Sequence, residues 1–352
     1  MPKIPERTAP SLDSAIPHGI YWDSSYFNEV YMNLDTIRQR SLLTQKTRQF
    51  FVDRGYLEVE TPLLSPQLIP ESSIENFRTE LISPYKESIP LFLTPSPEIW
   101  MKVLLSRGSG DIFQLTKSFR NSEQISPVHN PEFTMLEWYK TGIDADKNIS
   151  ITEDLVRALS GKETPDSVKA PFRTMSMEEA FREFAGFSLE ENLSEKALAE
   201  KNRKNHIPVD DDDNWEILFH KLFLTLVEPE LPTDRPLVLN RYPSTIKTLA
   251  ADIPDSPWAD RWELYMNGVE IANCYSEECD PAKIREYYRI ECAEKEQNSL
   301  IPVLTDPEYP DIFSTFPDCS GSAIGMDRLF AQILGMRNIE GVILFPLSDI
   351  VS

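Results

Sequence analysis

Residues 119–139, FRNSEQISPVHNPEFTMLEWY, constrain the fold of this chain most, because they require two strands flanking one polar loop. Upstream, residues 111–120 (DIFQLTKSFR) alternate apolar and polar side chains and end on Arg120. The loop carries Asn121, Ser122, Glu123, Gln124 and Pro127. Pro131 opens the return strand, a place that suits proline as the strand interior does not. From Phe133 the period is two, so Phe133, Met135, Glu137 and Tyr139 share one face and Thr134, Leu136 and Trp138 the other. One face gathers a guanidinium, a ring, a carboxylate and a phenol beside a loop holding Glu123, His129 and Asn130. A guanidinium suits a phosphate, a ring suits a purine and acceptors suit amines. The pattern predicts a site for a nucleotide plus an amine.

A second stretch, residues 260–278 (DRWELYMNGVEIANCYSEE), centres on Asn267-Gly268, a hairpin signal because a type I′ turn needs positive φ at both positions. That turn sets Met266 opposite Val269, Tyr265 opposite Glu270 and Glu263 opposite Ala272. Glu263 and Glu270 then share a face as diagonal neighbours, about 7–8 Å apart. Two carboxylates aimed at one point call for a cation, and magnesium shared with substrate phosphates fits. Strict alternation puts Glu277 on the opposite face, so a bulge or turn near Cys274 is required to bring it to the same pocket.

Elsewhere, residues 1–33 read as an arm without periodicity, and a helix capped by Asn33 or Asp35 follows, with Ile37, Leu42, Phe50 and Phe51 on its inner side. Gly55 ends it, and residues 56–62 (YLEVETP) alternate as a strand. Residues 63–86 read as irregular. Residues 91–94 form a short strand, after which Pro95-Ser96-Pro97-Glu98 opens a helix over 99–106, where Glu98 also suits the helix dipole. Residues 144–235 read as a helical insertion, in which Asp210–Asp213 cap a helix over 215–226. A small-residue run, 317–328 (PDCSGSAIGMDR), leads into a helix capped by Asp327 that starts at Arg328. The net charge of −22 over 352 residues argues against general or stable nucleic-acid binding. Four cysteines without a CxxC pair indicate neither zinc nor a disulfide framework and suit the reducing cytoplasm. The sequence carries no signal-type or membrane-spanning apolar run.

FRN–E–HNPEFTMLEWY resembles motif 2 of the class II aminoacyl-tRNA synthetases, in the lysine branch. The helix–glycine–strand–proline unit resembles motif 1, and the G-x-D-R before a helix resembles motif 3. SPE before a helix, and GVEIANCYSE, are similar to linking segments of lysyl-tRNA synthetases. The resemblance implies an α+β fold, a mixed and mainly antiparallel sheet flanked by helices, and a homodimer built on motif 1. About thirty residues precede motif 1, too few for the anticodon-binding barrel of a lysyl-tRNA synthetase. What remains resembles the elongation factor P β-lysyltransferase family, free-standing paralogs of lysyl-tRNA synthetase, and FPDCSGSAIG matches that family's segment before motif 3.

The resemblance implies activation of (R)-β-lysine, or lysine, by ATP and transfer to a lysine of elongation factor P. A tRNA-charging enzyme and a non-catalytic paralog remain as alternatives. It further implies Arg120 and Arg328 as catalytic residues. The amino acid falls to Ser96, Pro97, Glu98, Asn130, Tyr139, Asn273, Glu277 and Ala323, the last standing where lysyl-tRNA synthetases have glycine. ATP falls to Arg120, Asn121, Ser122, Glu123, His129, Phe133, Glu270, Ile271, Gly325 and Arg328, and magnesium to Glu263 and Glu270. Two departures stand out. The motif 2 loop, RNSE, is one residue longer than the family's, leaving Ser122 or Glu123 to read adenine, and Val128 precedes His129. Trp100, where the family has tyrosine, is expected to alter one side of the lysine pocket.

Overall fold

The computed structural model describes residues 34–122 and 125–350. The expected arm over 1–33 and the predicted ATP contact Glu123 lie outside the described residues. In chain order the strands are β1 (Leu57–Glu58), β2 (Leu64–Ser65), β3 (Arg78–Leu81), β4 (Ile89–Leu93), β5 (Ile112–Phe119), β6 (Glu132–Thr141), β7 (Arg173–Ser176), β8 (Leu237–Asn240), β9 (Arg261–Met266), β10 (Val269–Ser276) and β11 (Cys319–Gly325). Eight of them form one sheet in the order β1-β5-β6-β11-β10-β9-β8-β7. Both edge pairs, β1 with β5 and β7 with β8, are parallel, and the four strands between them pair antiparallel. The expected α+β class, mixed and mainly antiparallel, is the class observed. A smaller sheet, β2-β4-β3, flanks it. Residues 63–86 therefore hold two strands where the sequence shows no period, because both are short and largely exposed.

The longer helices are α1 (Leu34–Val52), α2 (Glu98–Ser106), α3 (Ala145–Leu159), α4 (Glu195–Lys204), α5 (Trp215–Leu222), α6 (Pro281–Asn298) and α7 (Met326–Ile333). Alternation settles the faces of the main sheet. Leu136, Trp138, Trp262, Leu264, Ala272, Cys274 and Ile324 point into a core shared with Phe51, Leu155 and Leu329 of α1, α3 and α7. The two indole N–H groups buried there both find partners on α3: Trp138 donates to Asn148 Oδ1 (3.0 Å) and Trp262 to the Ala145 carbonyl (2.7 Å). The opposite face carries Met135, Glu137, Tyr139, Glu263, Asn273 and Tyr275, and it floors a cavity rather than a core.

Three expectations need correction. On α1 the inward residue is Leu43, not Leu42, which is 52% exposed; Thr36, Leu43, Thr47 and Phe50 recur at helical spacing, and Leu42 lies about 100° away from Leu43. The cap of α5 is Asn214, whose side chain accepts from the Ile217 N–H, not the acidic run before it. Asp327 does not cap α7, which begins at Met326. Its buried carboxylate instead accepts from the Thr134 N–H (2.7 Å) and pairs with Arg40 (2.6 Å), tying motifs 1, 2 and 3 together. Within 144–235, α3 packs on the main core, whereas residues 175–246 supply nearly all of a second cluster around Phe181, Phe219 and Leu239.

Candidate active site

The cavity above the open face has a volume of about 550 Å³, enough for a nucleotide with a small second substrate. Its floor is β6, β11, β10 and β9. Register places Gly325 opposite Met135, Ala323 opposite Glu137 and Gly321 opposite Tyr139, so the floor runs roughly 13 Å from one end of the site to the other.

At one end stand Arg120, His129, Phe133, Glu270 and Arg328. Arg120 lies over the Phe133 ring, 5.4 Å from its centroid, and the His129 Nδ1 is 2.9 Å from the Ser126 hydroxyl. Arg328 donates from Nε to the Val128 carbonyl and from one terminal nitrogen to the Glu270 carbonyl, both at 2.9 Å. Val128 therefore enters through its backbone, which its side-chain identity does not affect. These two bonds aim the guanidinium into the cavity.

The hairpin turns at Asn267-Gly268 as expected, with φ of 50° and 76°. Val269 faces Met266 and Glu270 faces Tyr265, but a bulge between Glu270 and Ala272 then sets Glu263 opposite Asn273 rather than Ala272. The bulge thus lies at Ile271, not near Cys274. One extra residue inverts the alternation, so Asn273, Tyr275 and Glu277 join Glu270 on the cavity face while Ala272 and Cys274 enter the core. Glu263 accepts from the Tyr242 hydroxyl (2.5 Å), the Tyr265 hydroxyl (2.8 Å) and Arg261 (2.6 Å). Arg261 also donates to Asn273 Oδ1 at 3.1 Å. Glu270 meets Arg328 only at 3.8 Å, and burial together with the Glu263 charge pushes its carboxyl up to about 7. No group of three or more His, Cys, Asp or Glu converges among the described residues. Glu270 and Glu263 could hold an ion there only with phosphate and water completing its shell.

The other end gathers carboxylates, phenols and one lysine. Lys102, wholly buried on α2, lies 2.6 Å from Glu98 Oε1 and 2.7 Å from Glu277 Oε2. Tyr275 donates to Glu98 Oε1 (3.0 Å) and Tyr139 to Glu137 Oε1 (2.7 Å). Burial pushes the Glu277 carboxyl up to about 7 against the pull of Lys102, and pushes Glu137 up to about 8. The Lys102 ammonium is held well above its ordinary range by Glu277 and Glu98, which outweigh its own burial. Gly321 runs beneath. A Cβ there would collide with Glu277 Oε1 and come within 2.6 Å of the Tyr139 ring.

Residues 28–349 match the family described as tRNA synthetases class II (D, K and N). The chain is 36% identical over 315 residues to the "Elongation factor P--(R)-beta-lysine ligase" of Haemophilus influenzae, covering 88% of this chain and 94% of that protein. It is 35% identical over 320 residues to the protein of the same name from Avibacterium paragallinarum, covering 90% and 97%, and 35% identical over 316 residues to that of Haemophilus ducreyi, covering 89% and 94%. The chain belongs to the class II tRNA synthetase family. Membership carries the use of ATP by a ligase.

Of the residues expected from that family, Ser96, Glu98, Arg120, His129, Asn130, Phe133, Tyr139, Glu263, Glu270, Ile271, Asn273, Glu277, Ala323, Gly325 and Arg328 all line the cavity. Asn121, Ser122 and Pro97 do not. Asn121 donates toward the Asn76 carbonyl and accepts from the Ser122 N–H, Ser122 has positive φ, and Pro97 is buried as the residue before α2. Asn130 is held by the Glu132 carbonyl and the Leu347 N–H. Trp100 packs into a core cluster beside Met101 and Leu105 and does not line the cavity, so the expected change to the lysine pocket is not there. The reason is helical: Glu98 and Lys102 share a face, and Trp100 is about 200° from Glu98. Lys102, Glu137, Arg261, Tyr275 and Gly321 were not assigned from sequence. For Glu98 and Lys102 the i, i+4 spacing was the available signal.

Proposed function

We propose that the chain activates (R)-β-lysine, or lysine, as an aminoacyl-adenylate at the expense of ATP, and passes the acyl group to a lysine ε-amine of elongation factor P. The observation that carries this is the pairing, in one cavity, of a nucleotide-type end with a carboxylate cluster of Glu98, Glu137 and Glu277 suited to amines. The substrate carboxylate attacks the α-phosphate and pyrophosphate leaves. Arg120 and Arg328 neutralise phosphate charge, Phe133 supports the adenine, and Glu277, Glu137 and Tyr139 hold the ammonium so that the carboxylate points along the floor. Magnesium, held by Glu270 with Glu263 beside it, would supply further charge neutralisation at the phosphates. In the second step the acceptor amine attacks the acyl carbon and AMP leaves. No covalent enzyme intermediate is needed.

The same reading treats residues 34–352 as one catalytic unit with a helical insertion over about 144–235, working in the cytoplasm as a homodimer. Val52 and Leu57, 50% and 56% exposed on motif 1, suit a surface covered by a second copy. Leu57→Asp is expected to shift the sedimentation coefficient to that of a monomer; an unchanged value removes motif 1 from the interface. The test of the function is amino-acid-dependent ATP–pyrophosphate exchange with lysine and both β-lysine enantiomers, followed by the mass of elongation factor P. A mass increase of one β-lysyl or lysyl group is expected. Absence of exchange with all three amino acids would refute the reading.

A further inference from the structure

An ammonium taken out of water costs several kcal/mol unless it is well paired. A helix face that needed only packing at position 102 would be served by methionine or leucine. The chain buries a charge there instead, behind the cavity lining and paired to two of its residues, Glu98 and Glu277, and the way that charge is paired is asymmetric. Glu98 commits Oε1 to Lys102 and to the Tyr275 hydroxyl. Glu277 pairs with Lys102 through Oε2 at 2.7 Å, outside hydrogen-bond geometry, and its other oxygen, Oε1, is buried with neither an ion-pair nor a hydrogen-bond partner among the described residues. An orphaned carboxylate oxygen beside a glycine kept bare of Cβ is a place for a donor from outside the protein. The charges agree. Glu98, Glu137 and Glu277 carry three negative charges when ionised, and Lys102 cancels one of them. Two remain, as many as the ammonium groups of a diamino acid whose carboxylate points away toward Arg120.

Resting on the amino-acid site proposed above, we propose that Lys102 is a positioning residue that sets specificity: by holding one oxygen each of Glu98 and Glu277 it fixes both carboxylates, leaves their second oxygens to the substrate, and trims the charge of the site to match two amines. Glu98 and Glu277 both lie within hydrogen-bonding reach of the one Lys102 nitrogen, so a single side chain can fix both.

The test is Lys102→Met, which keeps bulk and removes charge, in ATP–pyrophosphate exchange beside the wild-type enzyme. The amino-acid KM is expected to rise about ten- to a hundredfold, the scale of losing hydrogen bonds between charged groups, with the KM for ATP within about twofold. An unchanged amino-acid KM, or equal rises in both, would overturn the proposal; equal rises are what a merely structural lysine gives. Lys102→Ala with added ethylammonium supplies a second measurement. Recovery of the amino-acid KM by ethylammonium but not by ethanol is expected, and no recovery, or recovery by both, counts against a charge-holding role. An ATP-induced rise in melting temperature identifies which variants are folded. A wild-type enzyme silent with every diamino acid would sink the reading of the site and the Lys102 role with it, whereas an active wild type with an indifferent Lys102→Met sinks the Lys102 role alone.

Discussion

The two ends of the cavity are built on the same strands but by opposite means. At the amine end the polar groups are buried and bonded to one another: Lys102 to Glu98 and Glu277, Tyr139 to Glu137, Tyr275 to Glu98. At the other end Arg328 is anchored to backbone carbonyls, and among the described residues Glu270 meets a cation only at 3.8 Å, in Arg328. Side chains locked by their neighbours discriminate between ligands, because a misfit leaves a buried group unpaired. Charges held by the backbone and aimed into space stabilise charge that arrives with the substrate and moves during reaction. On the proposed reading, specificity and chemistry are divided along roughly 13 Å of sheet.

The largest effect should come from the chemical end. Glu270→Gln is expected to lower the exchange rate about 10²–10³-fold, the scale of losing one principal electrostatic stabiliser, while the melting temperature barely falls. Wild-type exchange in that variant would remove Glu270 from the chemistry. Gly321→Ala attacks the other end. Its methyl displaces Glu277 and the Tyr139 ring, and a displacement of about 1 Å can cost about a hundredfold. Amino-acid activation should collapse while ATP still raises the melting temperature; loss of both would erase the division. Ala323 lies between Asn273 and Glu137 in register, at the middle of the floor. Ala323→Gly should change the ratio of kcat/KM for lysine over β-lysine by about tenfold in favour of lysine, since one methyl is worth about 1–3 kcal/mol. An unmoved ratio would leave that methyl a packing role.

A further effect is in pH. Glu277 and Glu137, raised by burial to about 7 and about 8, hold protons that a substrate ammonium must expel. Amino-acid affinity should therefore rise from about pH 6 to about pH 8, by up to about tenfold per unit below the pKa, with protons released on binding. The sign for stability is opposite. The ligand-free fold binds protons that the unfolded chain has lost above about pH 4.5, so these two groups favour folding less as pH rises through 7 to 8. Calorimetry in buffers of different ionisation enthalpy measures the release; proton uptake on binding would contradict the assignment.

Much of this was legible in the chain. The β5–β6 pair, the type I′ turn and the faces of β6 follow from local periodicity and turn chemistry, and the structure keeps them. Fifteen expected residues come together for that reason and because the family pattern supplied the rest. What escaped depends on tertiary geometry. Alternation demanded a bulge in β10 without locating it. Lys102 reads as an ordinary helix lysine until Glu277 arrives from residues far along the chain. Trp100 was placed by likeness to a tyrosine, although the helix period already pointed it away from Glu98.

The extra residue at Ile271 gives β10 a phase. Glu270 upstream of it and Asn273, Tyr275 and Glu277 downstream reach the same side only because the step from Glu270 to Asn273 is odd. Deleting a single residue there would turn Asn273, Tyr275 and Glu277 toward the packed interior and bring Cys274 out into the cavity, while leaving Glu263 and Glu270 where they are. Insertions or deletions in pairs would keep the phase and change only the distance between the two substrates. Length variation in this strand is thus confined to steps of two, much as a coding frame tolerates only steps of three.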